Sequence, residues 1–221
     1  MGRGASGTNP YHTTKTNVVI AVTGKGRRMT TKQKATVIGS AMSIKDMKHR
    51  DMQKEVQQAI SRYEAVMGLR EKSIKLADLD GAYGVTFISS DGSKGIYLDK
   101  SLFDRSKKEF EKDYASSNYK RRGGFKNKTR KPAQHTVTHE LAHATWCSSY
   151  TGSKQKAAGK EITALYKQFM KDKSSVRKKN YGSYGTSNVD EFWAEVITKG
   201  IHGDNDRYTR KALSIAKKYK L

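Results

Sequence analysis

Apolar side chains recur along this chain at two periods, and the switches between them outline its elements. From about Ser43 to Met67 the positions Val56, Ile60, Tyr63 and Met67 are spaced by four, three and four, which predicts a helix with Gly68 as its C-cap. Between Ser73 and Leu98 the period falls to two. Ile74-Lys75-Leu76, Val85-Thr86-Phe87-Ile88 and Gly95-Ile96-Tyr97-Leu98 read as strands, the last two joined in a hairpin through Asp91-Gly92. Helical spacing then returns. Ser106 to Tyr114 reads as a short polar helix, and Pro132 suits the first turn of another that runs to about Ser148. Ile162, Leu165, Tyr166, Phe169 and Met170 stripe one face of the next, a core face. Lys171 to Gly185 reads as a basic linker. Asn188 or Ser187 caps a helix through Ile201 that Gly203 helps to end, and Tyr208, Ala212, Ile215 and Tyr219 stripe a terminal helix. Strands followed by helices predict an α+β fold with a small, mostly antiparallel sheet.

Length and charge refine this outline. At 221 residues the chain predicts a basic, flexible arm over residues 1–30 and a single domain over 31–221, long enough to bury a core. Inside the arm, Val18-Val19-Ile20-Ala21-Val22 has the composition of an edge strand. The single cysteine, Cys147, excludes an intramolecular disulfide framework and reads as a small buried thiol. No stretch approaches 18 apolar residues and no secretory signal pattern is present, so a cytoplasmic or virion-associated protein is expected. The formal net charge of +23 favours polyanionic partners: nucleic acid, an anionic membrane surface or an acidic protein. One run concentrates it. Lys120, Arg121, Arg122, Lys126, Lys128, Arg130 and Lys131 stand together with Tyr119 and Phe125 and without an acid, a composition suited to phosphates and bases or to a solvated loop.

The predicted helix after Pro132 carries His139-Glu140-Leu141-Ala142-His143. Histidines four apart leave one helical face together, and neutral imidazoles are good zinc ligands. Glu140, beside the first histidine, can take a proton from a water whose pKa the metal lowers. Two histidines do not close such a site. His135 and His202 remain open as third ligands, but Glu191 and Glu195 are the stronger candidates, because they too are four apart and bracket Phe192, Trp193 and Ala194. Two facing helices, each with such a pair, place three ligands around one metal and leave a fourth group behind them.

Tyr184-Gly185-Thr186-Ser187-Asn188-Val189-Asp190-Glu191-Phe192-Trp193-Ala194-Glu195 resembles the second motif of the anthrax-toxin lethal-factor-like metallopeptidases, Y-G-x-x-N-x-x-E-F-[FW]-A-E, which follows an H-E-x-x-H helix. The resemblance covers about Thr136 to the C-terminus. It implies a zincin-like peptidase whose catalytic core spans about 132–221 and whose cofactor is Zn2+. It assigns His139, His143 and Glu191 as zinc ligands, Glu140 as general base, Tyr184 as the oxyanion donor and Glu195 as a residue that orients a ligand histidine. The chain departs from the toxin in its small size and strong basicity, so neither toxin-like delivery nor the toxin's substrate is implied. The expected function is a zinc-dependent endopeptidase acting on a protein or peptide. Two other readings account for the charge: a SprT-like protease acting on DNA-bound proteins, and a nucleic-acid-associated phage or virion protein that keeps a metallopeptidase fold.

Overall fold

The computed structural model describes residues 18–23, 37–68, 74–79, 82–89, 94–119, 129–148, 152–183 and 185–221. Five strands make one sheet: β1 (Val18–Thr23), β2 (Met42–Ser43), β3 (Ile74–Ala77), β4 (Gly84–Ser89) and β5 (Lys94–Asp99), in the order β1-β4-β5-β3-β2. The sheet is mixed. β3 runs parallel to β5, and the other pairings are antiparallel. The expected edge strand in the basic arm is β1, which pairs along the whole of β4 from Val18 opposite Ser89 to Thr23 opposite Gly84. β4 and β5 pair antiparallel, with Ile88 opposite Lys94; the expected turn residues Asp91 and Gly92 lie outside the described residues.

Alternation along these strands divides the interior in two. Ile74, Leu76, Ile96 and Leu98 face the helices, while Val85, Phe87 and Tyr97 join Val37, Ala77, Leu79 and Ala82 in a smaller cluster. On β4 the residues between these apolar positions are Gly84 and Thr86. They turn toward the helical side and meet Glu140 there.

The helices lying wholly within the described residues are α1 (Arg50–Met67), α2 (Lys100–Phe103), α3 (Lys107–Tyr119), α4 (Pro132–Thr145), α5 (Ser153–Met170), α6 (Ser174–Tyr181), α7 (Val189–Ile201) and α8 (Arg207–Tyr219). Gly68 ends α1 at φ 68°, a left-handed conformation that a residue with a side chain adopts at a cost, and its N–H donates to the Glu64 carbonyl. The expected start of α1 near Ser43 is corrected: Met42–Ser43 pairs with β3, Ile44–Asp46 forms a 3-10 turn, and the helix begins at Arg50. The polar helix expected to end at Tyr114 continues to Tyr119. α4 stops at Thr145 and not at Ser148, because Trp146 is extended. The basic linker expected over Lys171 to Gly185 contains α6, whose one buried side chain is Tyr181. Met170, expected in the core stripe of α5, is 40% exposed.

α4 is the central element. It packs between α1 and α7 and lies across β4 and β5. All of its 14 residues are buried, including Gln134, His135, Thr136, Thr138, His139, Glu140, His143 and Thr145. Buried polar groups cost free energy unless they find partners. Here Thr136, Thr138 and Thr145 donate to backbone carbonyls of their own helix, and Gln134 donates to the side chains of Glu55 and Gln58 on α1. The α4 backbone is braced as well, since Tyr63 of α1 donates to the Leu141 carbonyl at 3.1 Å.

An aromatic cluster sets the position of α7. Phe192 stands 4.6 Å from Phe169 of α5 by ring centroids, 6.4 Å from Tyr181 of α6 and 6.2 Å from Tyr208 of α8. Fully burying one such ring contributes about 1.5–3 kcal/mol, so the cluster is a large share of what holds α7 in place. At the other end of the interface Trp193 donates from its indole N–H to the Thr145 hydroxyl at 3.2 Å and meets Trp146 edge-on. Among the described residues no helix is long and apolar enough to cross a membrane.

Candidate metal centre

His135, His139 and His143 follow one another at intervals of four along α4 and leave the same face, which α7 covers. α7 is held in register at its start by Asn188, whose side-chain oxygen accepts the N–H groups of Asp190 and Glu191. That cap makes Glu191 the third residue of the helix, facing α4, with Glu195 one turn further on. Asp190 ties the two helices directly. It accepts the N–H and the hydroxyl of Ser148, just beyond the end of α4. Burial pushes the Asp190 carboxyl up to about 6 despite these two bonds from Ser148.

Three side chains converge. His139 Nε2 lies 3.1 Å from Glu191 Oε2, His143 Nε2 lies 3.1 Å from His139 Nε2, and His143 Nε2 lies 3.6 Å from Glu191 Oε2. None of the three side chains is more than 5% exposed. This donor set fits a divalent metal ion. Ligand atoms held at 2.0–2.2 Å by a tetrahedral zinc stand roughly 3.3–3.6 Å apart, close to the edges of this triangle. A second observation agrees: Glu191 Oε1 is buried without a hydrogen-bond partner among the described residues. A carboxylate oxygen left so is costly unless a cation meets it. His139, His143 and Glu191 could therefore hold a metal ion.

Glu195 stands behind this triangle. One oxygen lies 3.3 Å from His139 Nδ1 and the other 3.2 Å from His135 Nε2. A carboxylate at Nδ1 keeps the proton there and leaves Nε2 free to act as a ligand. Burial disfavours charge on His139, but Glu191 and Glu195 outweigh it and raise its pKa to about 10. Burial likewise works to raise Glu191 and Glu195. The facing histidines, His143 and His139 for Glu191 and His135 and His139 for Glu195, overcome it and hold both carboxyls below their usual range. The field in this interface therefore favours positive charge between α4 and α7.

Glu140, fully buried, points from α4 toward β4. The Thr86 hydroxyl lies 2.9 Å from Glu140 Oε2 and 3.0 Å from its carbonyl oxygen. A Cβ at Gly84 would stand 2.6 Å from Glu140 Cγ, so glycine is required for this carboxylate to lie against the strand. Gly185 is required for a similar reason. A Cβ there would meet Glu195 Cγ and the Tyr181 carbonyl oxygen, each at 2.5 Å.

The expected site residues thus divide as follows. His139, His143 and Glu191 come together, Glu195 contacts His139 from behind, and Glu140 lies on the same helix against β4. Tyr184 lies outside the described residues, as do Lys120, Arg121, Arg122, Lys126 and Lys128. Arg130 and Lys131 are exposed beside the start of α4. His135 engages Glu195, and His202 contacts the Thr138 hydroxyl at 3.1 Å; neither joins the triangle. Buried Cys147 is not part of it either. Sequence reasoning missed Gly84 and Thr86, which no local pattern marks, and held His135 open only as an alternative third ligand, not as a partner of Glu195. Compared with known proteins, the chain matches no family model, no curated protein and no solved structure.

Proposed function

We propose that this chain is a zinc-dependent endopeptidase with a zincin-like catalytic core, similar in its site to the lethal-factor-like metallopeptidases. The observation that carries the reading is the triangle of His139, His143 and Glu191, with the general-base candidate Glu140 on the same helix. When bound, zinc supplies Lewis acidity that polarises a peptide carbonyl and acidifies water. The protein does the rest. Glu195 holds His139 in the tautomer that presents Nε2 to the metal. Glu140 accepts the proton of the attacking water and passes it to the departing amide nitrogen, and Thr86 fixes the carboxylate for that exchange. Tyr184, assigned by the Y-G-x-x-N-x-x-E motif, donates its phenol hydrogen to the oxygen on which negative charge develops.

The test is hydrolysis of a fluorogenic peptide library together with elemental analysis of the purified chain. One zinc per chain is expected, with activity abolished by a chelator. Glu140→Gln is expected to keep the zinc and to lose about 10²–10⁴-fold in rate, the usual contribution of a general acid–base group. A zinc-loaded chain that cleaves no member of the library, or a Glu140→Gln variant that cleaves as well as the parent, would overturn the proposal.

A further inference from the structure

A cavity distinct from the metal triangle opens beside the start of α4. Its volume is about 410 Å³, and its lining includes Arg62 of α1, Arg130 and Lys131 before α4, His135 of α4, and Lys199 and His202 at the end of α7. Four cations from three segments of the chain therefore meet at one opening. The acid beside them, Asp204, pairs with Lys199 at 2.6 Å. Arg62, Arg130 and Lys131 are exposed and have no ion-pair partner among the described residues. Like charges brought together repel, and among the described residues Asp204 is the one acid in the cavity lining.

The neighbouring groups show the same field. Burial lowers the His202 pKa to about 4, and the positive charges of Arg62 and Lys131 push it in the same direction. The cavity floor is His135, which is 6% exposed. The first turn of α4 has no acidic residue, and Lys131 at its N-cap makes no side-chain bond to the helix. The mouth is thus positive, while the two carboxylates beside it are already engaged, Asp204 with Lys199 and Glu195 with the His135 ring.

We propose that this cavity is an oxyanion site that holds a phosphate of a single-stranded nucleic acid. The guanidinium groups of Arg62 and Arg130 match phosphate oxygens in planar, forked geometry. A strand accounts for more than one free phosphate would: Arg130 and Lys131 end a run of seven cations, and the chain carries +23 overall, so charge is available for neighbouring phosphates along the polymer. The inference goes beyond the peptidase reading and does not depend on it, since binding is measured without turnover.

The test is fluorescence anisotropy of a labelled single-stranded oligonucleotide titrated with the full chain between 50 and 200 mM salt. An Arg62→Ser/Arg130→Ser/Lys131→Ser variant is compared with a charge-matched Lys167→Ser/Lys178→Ser/Lys179→Ser variant, whose exposed lysines lie on α5 and α6 away from the cavity. The cavity variant is expected to bind at least about tenfold more weakly at 50 mM salt, with the slope of log affinity against log salt shallower by about 2, from three contacts at about 0.7 each. The control variant is expected to lose much less. Should the triple variant fail to fold, Arg62→Gln alone is expected to flatten the slope by about 0.7. Equal losses in the two triple variants, or no binding by the parent at 50 mM salt, would overturn the proposal. A phosphoserine peptide that displaces the parent at lower concentration than an oligonucleotide of equal charge would also overturn it, by giving the cavity to a protein ligand.

Discussion

α4 and α8 are built to opposite rules. α8 buries Tyr208, Thr209, Ala212, Ile215 and Ala216 along one face and turns Arg210, Lys211, Lys217 and Lys218 to solvent. Tyr208 and Thr209 at its start hydrogen-bond to Asp172 and to the Asp204 and Asp206 carbonyls. Beyond them packing sets the composition, so that apolar residues of similar volume would satisfy Ala212, Ile215 and Ala216. α4 is buried all round, yet eight of its 14 buried residues are polar, and three of those are histidines on one face. Packing does not call for that. Imidazoles and a glutamate stand where leucine would be more stabilising, which is what the proposed function asks of this helix at the expense of stability.

Three substitutions sharpen this contrast. The largest effect is expected from Glu191→Ala. If the roughly 10–16 kcal/mol of a four-ligand zinc site is shared evenly, losing this ligand weakens zinc binding by about 2.5–4 kcal/mol, roughly 60- to 700-fold. A competition titration with a chromophoric chelator reads this directly, and unchanged affinity would return the third-ligand role to a histidine, as a SprT-like site requires. Next, Ile215→Ala on α8 should cost about 3 kcal/mol in urea unfolding through the lost burial and the cavity left behind, while zinc affinity of the folded chain stays within twofold. A parallel loss of metal would mean that α8 is not a purely structural helix. The smallest effect is expected from Glu195→Gln, which keeps the shape and removes the charge behind His139. Zinc affinity should fall about 10–100-fold, the usual weight of a group that orients a ligand, with the unfolding midpoint of the metal-free chain moving little by comparison. No change in affinity would leave Glu195 as packing between α4 and α7.

The same contrast explains what could be read from the sequence. The stripe on α8, the Gly68 terminus and the Asn188 cap are local: period and capping chemistry operate within a few residues, so they show in the chain itself. Glu191 was legible for a related reason, because a glutamate pair at helical spacing around Phe192 and Trp193 cannot all be exposed. α6 was hidden by its own composition, since Ser174–Tyr181 buries a single ring and otherwise reads as a solvated basic stretch. Thr86 and Gly84 were out of reach. Their part comes from β4 crossing α4, a contact between positions 54 residues apart in the case of Thr86 and Glu140, and nothing near them in sequence announces it. Met42–Ser43 was lost to the helix that follows, because two residues pairing with β3 leave no periodic trace.

The distance along the chain between His139 and Glu191, 52 residues, has a consequence for how the molecule assembles. An unfolded chain still offers the His139–His143 pair to a metal, but not the carboxylate, which arrives only when α7 docks through its aromatic cluster. In the proposed zinc site, whatever affinity the ion gained at that moment would be returned as resistance to unfolding. Cobalt substituted for zinc would therefore act as a clock for docking: its visible absorption should shift when the oxygen ligand joins the two nitrogens, timing the closure of the helical half independently of the sheet.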